Sequence, residues 1–308
     1  MSDQRVARSA SWRGYVPAAV LLIVLIIATV VVFLAGVASK GADTPAISLG
    51  DGVVLVIVGL AAGLLGGLIG TGGCSVMLPV LSLWLGYPAA LAIGTTLFAV
   101  IFTAISGGYG HLMHKNLDVR ATGWLGGWGI LGVILGSWLF TILAGHVSLL
   151  GLILGIVFLW PAIRMSYEGV KPSQPGQTQG KSIPEHKWGW SSFGFVIGLL
   201  TGLVGLGGGY ALVPGLIYLF GAPVYLTMGT SLATMIPLAI VGGGIKLAQG
   251  YVAIGAGLLL ASGTVAGAQV GAAVIKRFKP RTLKLIFGLY FLYVAAKFIT
   301  SYFGIKIW

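Results

Sequence analysis

The segment GLLGGLIGTGGCSVMLPVLSLWLGYP, beginning at Gly63, returns without a gap as GLLTGLVGLGGGYALVPGLIYLFGAP, beginning at Gly198. Pairs at this constant offset include Gly67 with Gly202, Gly70 with Gly205, Gly72 with Gly207, Gly73 with Gly208, Pro79 with Pro214 and Thr95 with Thr230. Of the 11 glycines from Gly63 to His111, 9 meet another glycine, where this glycine content alone would give about two or three. Gly132 with Gly267 and Gly136 with Gly271 carry the match into the following segment. The chain therefore reads as a duplication, with a first repeat over 50–166 and a second over 190–302. A polar stretch rich in Pro, Gly and Gln, 167–189, reads as the linker between them.

The repeated unit is too apolar for water. Hydrophobic residues make up 57% of the 308 and charged residues 8%, against about a quarter charged in a soluble domain. The expected fold is an all-α integral membrane protein. Residues 1–14 read as a cytoplasmic N-terminus and 15–38 as an additional transmembrane helix, too long for the apolar core of a signal peptide. Each repeat then shows the same apolar segments, about 52–70, 75–86, 89–110, 121–142 and 148–165, and about 190–206, 210–221, 223–248, 252–275 and 282–300. The second segment of each set, with about 12 residues, covers only about 18 Å as a helix, too little for a span. Preceded by a glycine cluster, it predicts a broken-helix hairpin followed by three transmembrane helices in each repeat.

Basic residues test that topology. With the N-terminus inside, the loops and helix ends carrying His111, His114, Lys115 and Arg120, then Arg164, Lys171, Lys181 and Lys187, then Lys276, Arg277, Lys279, Arg281 and Lys284 all fall on the cytoplasmic side. The C-terminus falls outside, and the second repeat is inverted relative to the first. Inverted repeats with broken helices are a transporter architecture whose site lies at the repeat interface near the bilayer midplane. The net charge of +12 is explained by these loops and does not call for nucleic acid.

Function points to the breaks. Thr71, Gly72 and Gly73 in one repeat, and Gly207 and Gly208 in the other, are expected to leave backbone N–H groups unpaired at the start of a half-helix, where a dipole and an absent Cβ favour an anion. Glycine clusters also serve tight helix packing. The paired triplets Gly94-Thr95-Thr96 and Gly229-Thr230-Ser231 offer hydroxyl donors, unless these bond the carbonyl a turn back. Lys246 either guides an anion or snorkels to the interface, and Gln269 is a pathway or an interhelical group. The six acidic residues, Asp3, Asp43, Asp51, Asp118, Glu168 and Glu185, lie at ends or in loops, which argues against a carboxylate relay. No metal-ligand spacing, nucleophile elbow or dinucleotide motif occurs in context, so neither enzyme nor cofactor is expected. Cys74, the single cysteine, has no visible base beside it.

These motifs, GLLGGLIGTGGC and GLLTGLVGLGGG each followed by Pro and then by GTT or GTS, resemble the sulfite exporter TauE/SafE family over about residues 52–300. The family pattern falls on Gly70, Gly72, Gly73, Pro79, Gly205, Gly207, Gly208 and Pro214, whereas Cys74 stands where the second copy has Gly209. The resemblance implies a secondary transporter in the cytoplasmic membrane that moves sulfite or an organosulfonate, often outward. The alternative is an anion channel or an uptake carrier for a related sulfur oxyanion on the same scaffold. The expected partners are a small anion and membrane lipid, and nothing in the sequence specifies an oligomeric state.

Overall fold

A computed structural model describes residues 15–36, 44–143, scattered positions between 152 and 170, 182–205, 207–277 and 279–305. The N-terminal tail, most of the 148–165 segment and most of the linker lie outside the described residues. Among those described, every regular element is a helix: α1 Val16–Leu34, α2 Leu49–Ile69, α3 Cys74–Pro79 running into a π-helical turn Val80–Trp84, α4 Ala89–Met113, α5 Val119–Leu143, α6 Lys187–Val204, α7 Gly209–Tyr218, α8 Val224–Ala248, α9 Ile254–Val274 and α10 Pro280–Tyr302. Six of them, α1, α2, α4, α5, α8 and α9, are long and apolar enough to cross a membrane.

The starts and stops follow from local chemistry. Ser48 caps α2, its hydroxyl accepting the Asp51 amide while the Asp51 carboxylate accepts the Ser48 amide, which satisfies two end donors at once. α2 stops at Gly70 (φ 79°), and α6 stops at Gly205 (φ 69°), each N–H closing on the carbonyl four residues back, Gly66 or Thr201. The left-handed glycines Gly70, Gly72, Gly73 and Gly86 recur at the same spacing as Gly205, Gly207, Gly208 and Gly221. Lys115, the one non-glycine residue of positive φ among those described, is matched in the second repeat by the left-handed Gly250. α4 and α8 have the same bounds at the repeat offset. The duplication thus reaches the backbone conformation.

The halves are interlaced rather than side by side. Gly59, Gly63 and Gly67 of α2 lie against the backbone of Leu260, Thr264 and Ala268 of α9, so close that a Cβ would strike a carbonyl oxygen. In the same way Gly194, Gly198 and Gly202 of α6 lie against Leu125, Gly129 and Val133 of α5. Each half therefore packs its first helix on a long helix of the other, α2 on α9 and α6 on α5, through the small-residue contact that membrane helices use in place of hydrophobic collapse. α4 and α8 form the centre, with Leu97, Val100, Leu232 and Met235 fully buried. α1 adds a separate cluster, with Leu25 on Leu258, Ala261 and Val265 of α9. The rest of α1 is largely exposed and apolar, including Ile23, Ile27 and Val31, as a lipid-facing helix is.

Candidate functional site

The two glycine breaks meet. A Cβ placed on Gly72 would lie 2.6 Å from the Met235 methyl carbon and 3.2 Å from Val100 Cγ1, and a Cβ on Gly207 would lie at those same distances from those same atoms. Val100 and Met235 are themselves partners at the offset that relates Gly63 to Gly198. Both breaks thus face one pair of side chains, contributed by equivalent positions of α4 and α8. Thr71 is 1% exposed, and its Cα would be 2.5 Å from a Cβ on Gly209. Cys74 is buried, with Sγ 3.3 Å from where Gly207 would carry a Cβ. Ser231 closes the group by donating its hydroxyl to the Gly70 carbonyl at 2.7 Å. The first turns behind the breaks pair late: the Val76 and Met77 amides both bond the Gly73 carbonyl, and the Ala211 and Leu212 amides the Gly208 carbonyl. The N–H groups ahead of them have no partner within their own helix.

The remaining predicted residues stand apart from this centre. Gly73 and Gly208 face their own halves: a Cβ on Gly73 would strike Ala62 of α2, and one on Gly208 would lie 2.7 Å from Ile197 and from Thr201 of α6. Thr95 Oγ1 accepts the Ala253 amide at 2.9 Å, and Thr230 Oγ1 accepts the Asp118 amide at 3.0 Å. These are equivalent bonds exchanged between the halves, and each hydroxyl keeps its own hydrogen to donate. Thr96 Oγ1 instead donates to Ile93 within its helix, at 2.9 Å. Lys246 lies 11 residues along α8 from Met235, a rise of about 16 Å. It is fully buried, with Nζ 3.0 Å from the centre of the Phe140 ring, so it does not snorkel in this conformation. Its repeat equivalent, His111, is also fully buried and donates from Nε2 to the Gly67 carbonyl at 2.7 Å.

Several residues escaped sequence reasoning. Val100 and Met235 carry no chemical mark, and only their shared offset singles them out. Asp118, predicted as a plain loop carboxylate, is a staple: its Oδ1 accepts the Arg120 and Ala121 amides at the start of α5, and its Oδ2 accepts the Ile183 amide at the far end of the linker. Gln269 bridges helices, donating to the Ser106 carbonyl at 2.7 Å. Among the described residues no Asp or Glu is buried, and no three His, Cys, Asp or Glu stand close enough to hold a metal ion.

Spanning helices broken by glycine in matched places, with neutral donors and no buried carboxylate at their meeting point, define a polytopic membrane protein of transporter type. The family model described as "Sulfite exporter TauE/SafE" matches residues 55–298. The chain belongs to that family of membrane transporters. It is 26% identical over 272 residues to "Probable membrane transporter protein YunE" of Bacillus subtilis, spanning 80% of this chain and 97% of that protein. To "Probable membrane transporter protein YdhB" of the same organism it is 27% identical over 220 residues, 71% of this chain and 89% of the relative. A third "Probable membrane transporter protein", from Methanocaldococcus jannaschii, is 26% identical over 250 residues, 76% and 90% of the two chains. No solved structure matches the chain.

Proposed function

We propose that this chain is a secondary transporter of a small sulfur-containing anion, of the sulfite or organosulfonate class, which it exports across the cytoplasmic membrane by alternating access. The anion sits where the breaks at Thr71-Gly72 and Gly207 converge, taking backbone N–H groups and nearby hydroxyls, with the two repeats inverted about it. One observation supports this most: Gly72 and Gly207 open onto the same Met235–Val100 pair, so a single ligand replacing those side chains would touch both halves. Burial of polar backbone without full pairing is tolerated in a membrane where it lines a pathway. A sulfonate, ionised at physiological pH with three acceptor oxygens, suits such neutral donors.

The orientation belongs to the same reading. Lys276 Nζ donates to the His114 carbonyl at 3.1 Å, and Arg120 pairs with Glu185 at 2.8 Å. The basic loops at 114–120, 185–187 and 276–277 thus gather at one end, which supports assigning them together to the cytoplasmic side.

Flux of radiolabelled sulfite into proteoliposomes is the test. Saturable uptake that accelerates against preloaded sulfite is the expected result, and a linear, non-saturating flux would make the protein a channel instead. Gly207→Ala is expected to abolish flux in protein that still inserts: its Cβ meets side chains and no backbone, those of Met235, Val100 and Cys74, at a left-handed cost of about 1–2 kcal/mol, while crowding the ligand's place.

A further inference from the structure

Lys246 is out of place for a lysine. Its side chain is entirely buried, and Nζ has no hydrogen-bond partner. The Phe140 ring covers it at 3.0 Å, yet an ammonium presents three donors, and a ring face engages one direction only. A second unpaired group stands at the same level of the neighbouring helix. Ser137 is fully buried and its Oγ also lacks a partner. The register of α8 on α5 brings the two together: the Cβ position of Gly129 meets Leu238, that of Gly242 meets Val133, and Lys246 reaches Phe140. One turn beyond the Gly242–Val133 contact, α8 offers Lys246 and α5 offers Ser137, with Phe140 three residues further on the same face.

We infer that Lys246 and Ser137, floored by Phe140, form a second anion station, which takes one oxyanion group of the transported molecule at the end of α8 remote from the glycine breaks. The inference rests on the anion-transport reading above. A buried cation and a buried hydroxyl, both unpaired, are each costly in a medium of low dielectric, and one oxyanion would satisfy both at once. The station is about 16 Å along α8 from Met235, so it cannot be part of the same bound pose of a small anion. It is a stage before or after the centre. The equivalent place in the other half holds His111, already bonded to Gly67, so the two ends of the pathway are chemically different.

Equilibrium binding of sulfite to the full-length purified protein, by calorimetry at constant ionic strength, tests this with three variants. Lys246→Met keeps length and apolar bulk and is expected to weaken the station's binding event about 30-fold or more while the centre's event remains. Ser137→Ala is expected to weaken the station's event about 5-fold, and it carries the test if Lys246→Met does not insert. Gly207→Ala reports on the centre. If wild type shows a single sulfite-binding event that Lys246→Met and Ser137→Ala keep within about 2-fold and Gly207→Ala loses, the second station is overturned and the central site stands. Loss in the Lys246 and Ser137 variants with unchanged binding in Gly207→Ala keeps the station and removes the centre. Wild-type protein that binds no sulfite overturns both.

Discussion

Gly86 and Gly70 have almost the same backbone conformation, φ 70° and 79°, and opposite surroundings. Nothing lies within 4 Å of a Cβ on Gly86, whereas one on Gly70 would come 2.8 Å from the Met228 backbone. Gly86→Ala should therefore show only the left-handed penalty, about 1–2 kcal/mol, as a modest drop in thermal unfolding temperature with transport intact. Gly70→Ala should prevent recovery of folded protein. At Thr95 and Thr230 the expectation concerns stability first. Each Thr→Val leaves a loop amide, of Ala253 or Asp118, without its acceptor, at about 1–3 kcal/mol, and hydrogen exchange at those amides should rise in the single variants. Thr→Ser should restore protection. Sequence reasoning marked the hydroxyls because they recur at the repeat offset, but their partners lie 158 and 112 residues away. No local pattern discloses which amide a hydroxyl will meet. Asp118 was hidden for the same reason, since its three acceptor bonds join a loop to the end of a linker.

Among the elements, the half-helices were the most legible, because a glycine cluster followed by a short apolar run has few other solutions. The predicted 75–86 became α3 with its π-helical turn, and 210–221 became α7. The turn itself was not foreseen: the Leu85 amide reaches the Val80 carbonyl, five residues back, whereas α7, with Pro214 in the place of Pro79, closes its end on an ordinary Leu219–Gly215 bond. Periodicity found the long helices but not their partners. On α5, Gly132 and Gly136 press against the α6 backbone while Gly123 and Gly127 face open space, a distinction that composition cannot draw. Replacing Gly132 by Ala should cost assembly outright, since its Cβ would strike the Phe195 carbonyl. Gly123→Ala and Gly127→Ala should leave the protein as stable or raise stability by up to about 0.5–1 kcal/mol through helix propensity, as read from detergent unfolding of the three variants side by side.

For the whole molecule, contacts bring the described basic loops at 114–120, 185–187 and 276–277 to one end, and assigning that end to the cytoplasm is the proposal that loop charge supports. Reporter fusions should place 276–281 in the cytoplasm and the C-terminus outside, and both termini on one side would refute the assignment of sides. The site was less legible. Ten residues were predicted around one anion: Thr71, Gly72, Gly207 and Ser231 stand where the breaks meet, Thr95 and Thr230 brace the halves, Gly73 and Gly208 face their own halves, Thr96 bonds within its helix, and Lys246 lies at a distance. Chain symmetry indicates which positions are equivalent. It does not say how far each lies from the axis, which depends on helix packing.

The interlacing of α2 with α9 has a consequence for biosynthesis. The glycine row at Gly59, Gly63 and Gly67 finds its partner backbone only at Leu260, Thr264 and Ala268, far later in translation. At about 5–20 residues per second, α2 waits on the order of 10–40 s in the bilayer with its closest-packing face covered by lipid or by the insertion machinery. α6, by contrast, emerges after α5 and can dock at once. The first half is therefore the vulnerable product of an interrupted synthesis. When the halves are produced as separate polypeptides divided in the linker, the first is expected to be degraded alone and rescued when the second is supplied, as read by its steady-state abundance in membranes.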